Sequence, residues 1–143
     1  MKGATSVVGV ARDGRFWLAL FAGALFWAGL ASRLGLGDLG WPGRMPWRFV
    51  LLAMVYPILE EVVFRGWLQP ALAGRWPGRV IGPLSRANVA TSAIFSVLHL
   101  LGHPPIWAAA VFLPSLLFGY FRDRYGRLGP PVLLHVSYNI GYF

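Results

Sequence analysis

The chain has 143 residues, of which 57% are hydrophobic and only 13% are charged. This length fits one domain, and soluble domains usually have about 25% charged residues, so the composition indicates a membrane protein. The net charge of +8 comes from basic residues in the gaps between apolar runs. That distribution is typical of membrane orientation rather than of nucleic-acid binding. Cysteine is absent, which excludes disulfides, thiol nucleophiles and thiolate metal sites.

Five apolar segments follow one another along the chain. They cover residues 16–31, 46–72, 87–101, 106–121 and 129–143. Lipid offers no partner to an open backbone and no segment alternates with period 2, so the sequence predicts an all-α fold. We expect a polytopic transmembrane helix bundle of about five spans. The third and fifth segments are shorter than the roughly 20 residues of a perpendicular span, so they extend into their flanks, thin the bilayer locally or end inside the protein.

The first apolar segment resembles the apolar part of a signal peptide. No small-x-small cleavage site follows it cleanly, so we interpret it as a retained span. Residues 1–46 then form a first span with its linker, and residues 47–143 form the core domain. We expect the basic turn at 122–127 to contact lipid headgroups.

The twelve basic residues other than Arg65 divide nine to three between the two sides of such a bundle, which predicts a cytoplasmic N-terminus. The larger set is Lys2, Arg12, Arg15, Arg75, Arg79, Arg86, Arg122, Arg124 and Arg127, and the smaller set is Arg33, Arg44 and Arg48.

The second segment contains Glu60, Glu61 and Arg65, although each ionised group at membrane depth costs roughly 2.5–3.5 kcal/mol on insertion scales. Glu61 and Arg65 are four residues apart, so we expect them to form an ion pair on one helix face. Glu60 is rotated from Glu61 by about 100° and is free to react. Pro57 removes one helix hydrogen bond and frees a carbonyl near Ala53. The resulting bend either admits water beside Glu60 or is that of an ordinary membrane-helix proline.

Polar residues on two further segments complete a candidate site. His135 and Asn139 are four residues apart on the fifth segment, and two donors that converge there can hold a developing oxyanion. His99 on the third segment can orient a water with Glu60. Phe95 is expected to pack beside the site, and His103 to lie in the loop after the third helix.

Three motifs stand in order on successive predicted helices: Glu60-Glu61-x-x-x-Arg65, Phe95-x-x-x-His99 and His135-x-x-x-Asn139. Together they resemble the CPBP family, the CAAX-protease and bacteriocin-processing family of glutamate-type intramembrane proteases, also called the Abi or Rce1-type family. The resemblance covers residues 47–143.

The resemblance implies a helical peptide-bond hydrolase with its catalytic core on spans two, three and five and without a cofactor or metal. In it, Glu60 and His99 activate water, and His135 and Asn139 stabilise the oxyanion. The chain is shorter than family members that process prenylated proteins. Its length is closer to that of bacterial relatives that trim exported proteins with C-terminal sorting tails. It therefore implies a bacterial inner-membrane enzyme whose partners are lipid and a membrane-associated or exported protein.

Two other readings of the same residues stay open. In a metal-dependent membrane hydrolase, Glu60, His99 and His135 would be ligands and Glu61 the base, although no His-Glu-x-x-His motif is present. In a non-catalytic immunity or scaffold protein, the two glutamates would belong to a buried ion-pair network that fixes helix packing.

Overall fold

A computed structural model describes residues 7–34 and 40–143, most of which are helical. Lys2 and Asp38, which belong to the predicted N-terminal region and first linker, lie outside these residues. The helices before the second apolar segment are α1 (Val7–Ala11), α2 (Gly14–Leu34) and α3 (Trp41–Arg44).

One continuous helical run from residue 46 to residue 75, here called the long helix, carries both glutamates. It consists of α4 (Pro46–Val50), a π-helical segment π1 (Leu51–Val55), α5 (Tyr56–Glu61), a second π-helical segment π2 (Val62–Leu68) and α6 (Gln69–Arg75). A short antiparallel hairpin follows, made of β1 (Arg79–Ile81) and β2 (Leu84–Ser85). The remaining helices are α7 (Arg86–His99), α8 (Pro105–Ala110), α9 (Phe112–Tyr125) and α10 (Gly129–Tyr142).

The predicted segments correspond to observed helices with shifted ends. The first segment extends to both sides as α2, and the fourth is divided into α8 and α9 at Val111. The hairpin at residues 79–85 was not predicted and is a small exception to the all-α prediction. By length and composition, residues 14–33 and 105–125 are candidate membrane spans.

Each π-helical segment ends two residues before a proline, Pro57 or Pro70. Tyr56 donates its N–H to the carbonyl of Leu51, and Gln69 donates to Phe64, five residues back in each case. The next bond in this register would need an N–H from Pro57 or Pro70, and proline has none.

The two carbonyls that would need these bonds accept side-chain donors from other helices instead. The Leu52 carbonyl, five residues before Pro57, accepts a bond from Asn139 Nδ2 at 3.1 Å. The Arg65 carbonyl, five residues before Pro70, accepts a bond from Arg122 Nε at 2.7 Å. The carbonyl predicted near Ala53 is thus that of Leu52, because the π register moves the unpaired acceptor one residue back.

Small residues allow α2 to pack closely on α10. A Cβ atom on Gly23 would overlap the ring of Tyr138, whose hydroxyl donates to the Ala19 carbonyl at 2.7 Å. Beneath this contact lies a core cluster of Phe16, Ala19, Phe118, Phe121, Tyr125 and Leu134. Close approach over small residues is a general way to join membrane helices, and here it fixes the position of α10 against α2.

Hydrogen bonds connect the ends of several helices on one side of the bundle. Ser85 caps α7 by accepting from Asn88 N at 3.0 Å, and its hydroxyl donates to Asp123 at 2.6 Å. Gln69 also donates to Asp123, at 2.7 Å, and so connects the long helix to α9. At its end α9 is closed by Gly126, whose φ of +68° suits a residue without a side chain.

At the start of α2, Asp13 accepts three hydrogen bonds. Arg124 Nε and the Tyr125 hydroxyl donate to Oδ2 at 2.6 and 2.7 Å, and the backbone N–H of Arg15 donates to Oδ1 at 3.0 Å. Partial burial on its own raises the pKa of Asp13, but these bonds outweigh it and bring the pKa below the ordinary value of 3.8. The ionised carboxylate is therefore the form that stabilises this end of the bundle.

We predict that Asp13→Asn lowers the melting temperature at pH 7 and has little effect at strongly acidic pH. A lowered pKa contributes stability that is present above the unfolded-state value and is lost as the pH falls through the folded-state value. Melting curves of detergent-solubilised protein between pH 7 and pH 2 measure this. A difference between variant and wild type that stays constant over this range would contradict the prediction.

Candidate active site

The predicted ion pair is present on the long helix. Glu61 Oε1 lies 3.2 Å from Arg65 Nη1, and both side chains are fully buried. The same carboxylate oxygen lies 2.9 Å from His135 Nδ1 on α10. Glu61 is therefore held by a cation on its own helix and by an imidazole on another.

Arg65 connects the long helix to its neighbours. Its Nη2 donates to both the carbonyl and the hydroxyl of Ser115 on α9, the carbonyl at 2.8 Å. The guanidinium also lies over the rings of Phe95 and Phe118, at 5.1 and 5.7 Å from their centroids. These contacts fit the predicted role of Arg65 as a partner of Glu61, because they leave the guanidinium enclosed by protein.

Glu60 points in a different direction from Glu61, as the helical period predicts. Its side chain is 35% exposed, and its Oε2 lies 3.6 Å from His135 Nε2. His135 thus lies between the two glutamates, with one ring nitrogen facing each carboxylate. Since Arg65 already balances Glu61, Glu60 is the acid in this group with access to an open space.

The orientation of His99 is fixed by its own helix. His99 is the last residue of α7, and its Nδ1 lies 2.9 Å from the carbonyl of Phe95. A carbonyl can only accept, so this contact places the proton of a neutral ring on Nδ1 and leaves Nε2 with a lone pair. The Phe95 ring is buried and packs on His99 and His135, at 4.4 and 5.9 Å between centroids. This is the position beside the site that the sequence predicts.

Asn139 lies one turn beyond His135 on α10. Its Nδ2 donates to the Leu52 carbonyl, and an amide nitrogen has two N–H groups, so this bond uses one of them. The two expected oxyanion donors, His135 and Asn139, thus lie on one face of α10. Each already has a protein partner, Glu61 for His135 and the Leu52 carbonyl for Asn139.

One cavity of about 210 Å³ is bordered by all four predicted catalytic residues, Glu60, His99, His135 and Asn139. Glu60 and His99 also border a second, more open cavity beside Leu98 and Gly102. The chemistry available in the first cavity is that of a carboxylate, an imidazole with a free lone pair, a second imidazole and an amide. This set can accept a proton from water and donate hydrogen bonds to an oxygen.

Aromatic side chains form the wall of the first cavity away from the glutamates. Trp27 from α2 stacks on Trp107 from α8 at 6.3 Å, and both rings contact Tyr142 from α10. Gly141 makes room for Trp27, because a Cβ atom there would overlap the indole ring. Tryptophans of membrane proteins are typically anchors at the membrane interface, and their positions in the sequence did not predict this wall.

His103 is in a turn after α7, as predicted, but it is closer to the site than expected. Its ring stacks on His99 at 5.7 Å and borders both cavities. Within residues 7–34 and 40–143, no group of three or more His, Cys, Asp or Glu side chains is arranged to hold a metal ion.

The family model described as type II CAAX prenyl endopeptidase, Rce1-like, matches residues 42–141 of the chain. The match covers well over half of the chain, which therefore belongs to this family of CAAX-type intramembrane proteases, as its three motifs predicted. Together with the two apolar helices, the family marks the chain as a membrane protein. No curated protein and no solved structure matches the chain with significant similarity.

We predict that Arg65→Met destabilises the protein by about 3–5 kcal/mol, because it leaves the buried Glu61 carboxylate without its cation. The double variant Glu61→Gln/Arg65→Met is the matched control and is expected to be more stable than Arg65→Met alone. Denaturant unfolding in detergent micelles measures both. A single variant as stable as the wild type would show that the pair contributes nothing to the fold.

Proposed function

We propose that this protein is a glutamate-type endopeptidase that hydrolyses a peptide bond in the cavity between the long helix, α7 and α10. The observation that carries the proposal is the pairing of charges. Arg65 balances Glu61, while Glu60, half-buried and unmatched by a second arginine, borders the cavity together with His99.

In the proposed reaction Glu60 takes a proton from a water that the Nε2 lone pair of His99 helps to orient. The hydroxyl bonds to the carbonyl carbon of the substrate, and the carbonyl oxygen becomes an oxyanion. His135 Nε2 and the second N–H of Asn139 donate to that oxygen. When the C–N bond breaks, Glu60 returns the proton to the leaving nitrogen, so that no metal or cofactor is required. Nδ1 of His135 faces Glu61, whereas Nε2 lies on the side of Glu60 and the cavity, from where an N–H on Nε2 can donate.

As substrate we propose a membrane-associated or exported protein with a C-terminal tail. The site lies among helices of a membrane protein, and its cavity combines a polar end with an aromatic wall, which suits a peptide that carries apolar side chains.

We further propose five membrane passes formed by α2, the long helix, α7, the α8–α9 pair and α10. Hydrogen bonds bring together the start of α2, the end of the long helix, the start of α7 and the end of α9. Successive helices thus run in alternating directions, as passes across a membrane do.

The predicted excess of basic residues lies at the end of the bundle where α2 and α7 begin, and this end is therefore assigned to the cytoplasm. His99 and Asn139 are near the opposite ends of their helices, so the site opens outward in a bacterial inner membrane.

Glu60→Gln is expected to abolish cleavage and to leave the folded, inserted protein intact, because a half-exposed amide replaces a carboxylate with no arginine partner. The measurement is mass spectrometry of membrane proteins from cells that express wild type or variant. New protein termini should occur with the wild type and be absent with Glu60→Gln.

The melting temperature of Glu60→Gln serves as the control and should match the wild type. The same new termini in both samples would falsify the assignment of Glu60. In a purified assay the cleavage should persist after treatment with a chelator, whereas loss of cleavage that zinc restores would favour the metal-dependent alternative.

The topology predicts opposite accessibility for two introduced thiols in this cysteine-free chain. Gly74 and Gly102 both have open space where a Cβ atom would be placed. With an impermeant maleimide on intact cells, Gly102→Cys should be labelled, and Gly74→Cys only after permeabilisation. Labelling of both from the same side would show that α7 does not cross the membrane.

A further inference from the structure

The long helix contains the same arrangement twice, once at the candidate site and once away from it. In each case a π-helical segment ends before a proline, and the carbonyl five residues before that proline accepts a side-chain donor from another helix. At the site the components are Pro57, the Leu52 carbonyl and Asn139. Away from the site they are Pro70, the Arg65 carbonyl and Arg122.

In both arrangements the proline removes the backbone N–H that would bind the carbonyl in the π register. In a regular helix each carbonyl already accepts a backbone N–H, and a side-chain donor from another helix adds a second bond, as Asn88 does at the Leu116 carbonyl. Where proline removes the N–H, a buried carbonyl without a partner is costly, and a donor from another helix satisfies it. The two donors differ in chemistry, an amide and a guanidinium, but both occupy the acceptor that this rule specifies.

The contact determines which way the Asn139 amide points. One N–H of Nδ2 is committed to the Leu52 carbonyl, so rotation about the last side-chain bond is restricted and the second N–H has a defined direction. Asn139 borders the cavity with Glu60, His99 and His135. A donor that is already oriented costs no reorganisation when charge develops on a substrate oxygen.

We propose that Pro57 is a positioning residue for the active site, which acts through the Leu52 carbonyl to hold Asn139 as an oxyanion donor. The role in catalysis rests on the proposed function, whereas the link between Pro57 and Asn139 does not. Pro57 makes no contact with substrate in this scheme. Pro57 contributes through its backbone nitrogen, which has no N–H to bind the Leu52 carbonyl and so leaves that carbonyl to Asn139.

The first experiment tests the link by melting temperature and needs no substrate. Asn139→Ala should lower the melting temperature of the wild type by about 2–4 °C, the size of one hydrogen bond in a protein of this length. In the Pro57→Ala background it should cause little further loss, because the new backbone N–H already satisfies the Leu52 or Ala53 carbonyl.

The arrangement of Pro70, the Arg65 carbonyl and Arg122 provides the matched control. Arg122→Ala should show the same non-additivity with Pro70→Ala and should be additive with Pro57→Ala. Additive losses for Pro57→Ala and Asn139→Ala would overturn the proposal, because they would show that the two residues do not share the carbonyl.

The second experiment tests positioning by kinetics, with a quenched peptide that spans the cleavage site identified by the Glu60→Gln comparison. Pro57→Ala should lower kcat by about tenfold or more with KM nearly unchanged, within the roughly 10²–10³-fold cost of removing an oxyanion donor. Pro70→Ala makes the same change in the same helix, at a residue that does not border the cavity, and should keep kcat within about threefold.

A chemical rescue separates the missing N–H from the shape of the proline ring. In the Pro57→Ala variant, replacing the new alanine by lactic acid gives a backbone ester without an N–H, which should restore most of kcat. Failure of this rescue would overturn the positioning role. A non-additive effect of Pro57→Ala and Asn139→Ala on the melting temperature, together with an unchanged kcat in Pro57→Ala, would overturn it as well. Activity retained by Glu60→Gln would instead count against the proposed function and leave the measured coupling valid.

Discussion

The buried pair of Glu61 and Arg65 connects four parts of the fold. Arg65 binds Ser115 on α9 and lies over aromatic rings from α7 and α9, and Glu61 binds His135 on α10. Two ionised groups away from water are tolerated only when each is paired and hydrogen-bonded. Displacement of α9 or α10 would remove a hydrogen-bond partner from one of the two buried charged side chains, so the pair favours the observed arrangement of these helices.

The same pair gives two adjacent glutamates different surroundings. One carboxylate is enclosed and shares its oxygen between a guanidinium and an imidazole. The other is rotated along the helix, is partly exposed and faces the second nitrogen of that imidazole. His135 thus lies between an enclosed acid and the acid that we propose to react. A carboxylate that fixes the orientation of an imidazole also occurs in the Ser-His-Asp triad of hydrolases.

Much of this could be predicted from the sequence, because it depends on local periodicity. The apolar segments indicated the helices, and the four-residue spacing gave the ion pair of Glu61 and Arg65. The contact of His135 with both glutamates could not be predicted, since it depends on the register between two helices. The hairpin at 79–85 was missed because strands of two and three residues are too short to show an alternating pattern. The free carbonyl expected near Ala53 could not be assigned to Leu52 from the sequence, because helix numbering alone does not reveal a π register.

Trp27 lies on α2, before the first residue of the family match, yet its ring forms part of the cavity wall. Gly141, at the last matched position, leaves room for that ring because it has no side chain. Tyr138 donates a hydrogen bond to the backbone of α2, at the carbonyl of Ala19. A protein trimmed to residues 42–141 would keep the three motifs that resemble the family and would lack the part of the cavity wall that Trp27 forms. The part of the chain that the family model recognises is therefore smaller than the part that encloses the cavity.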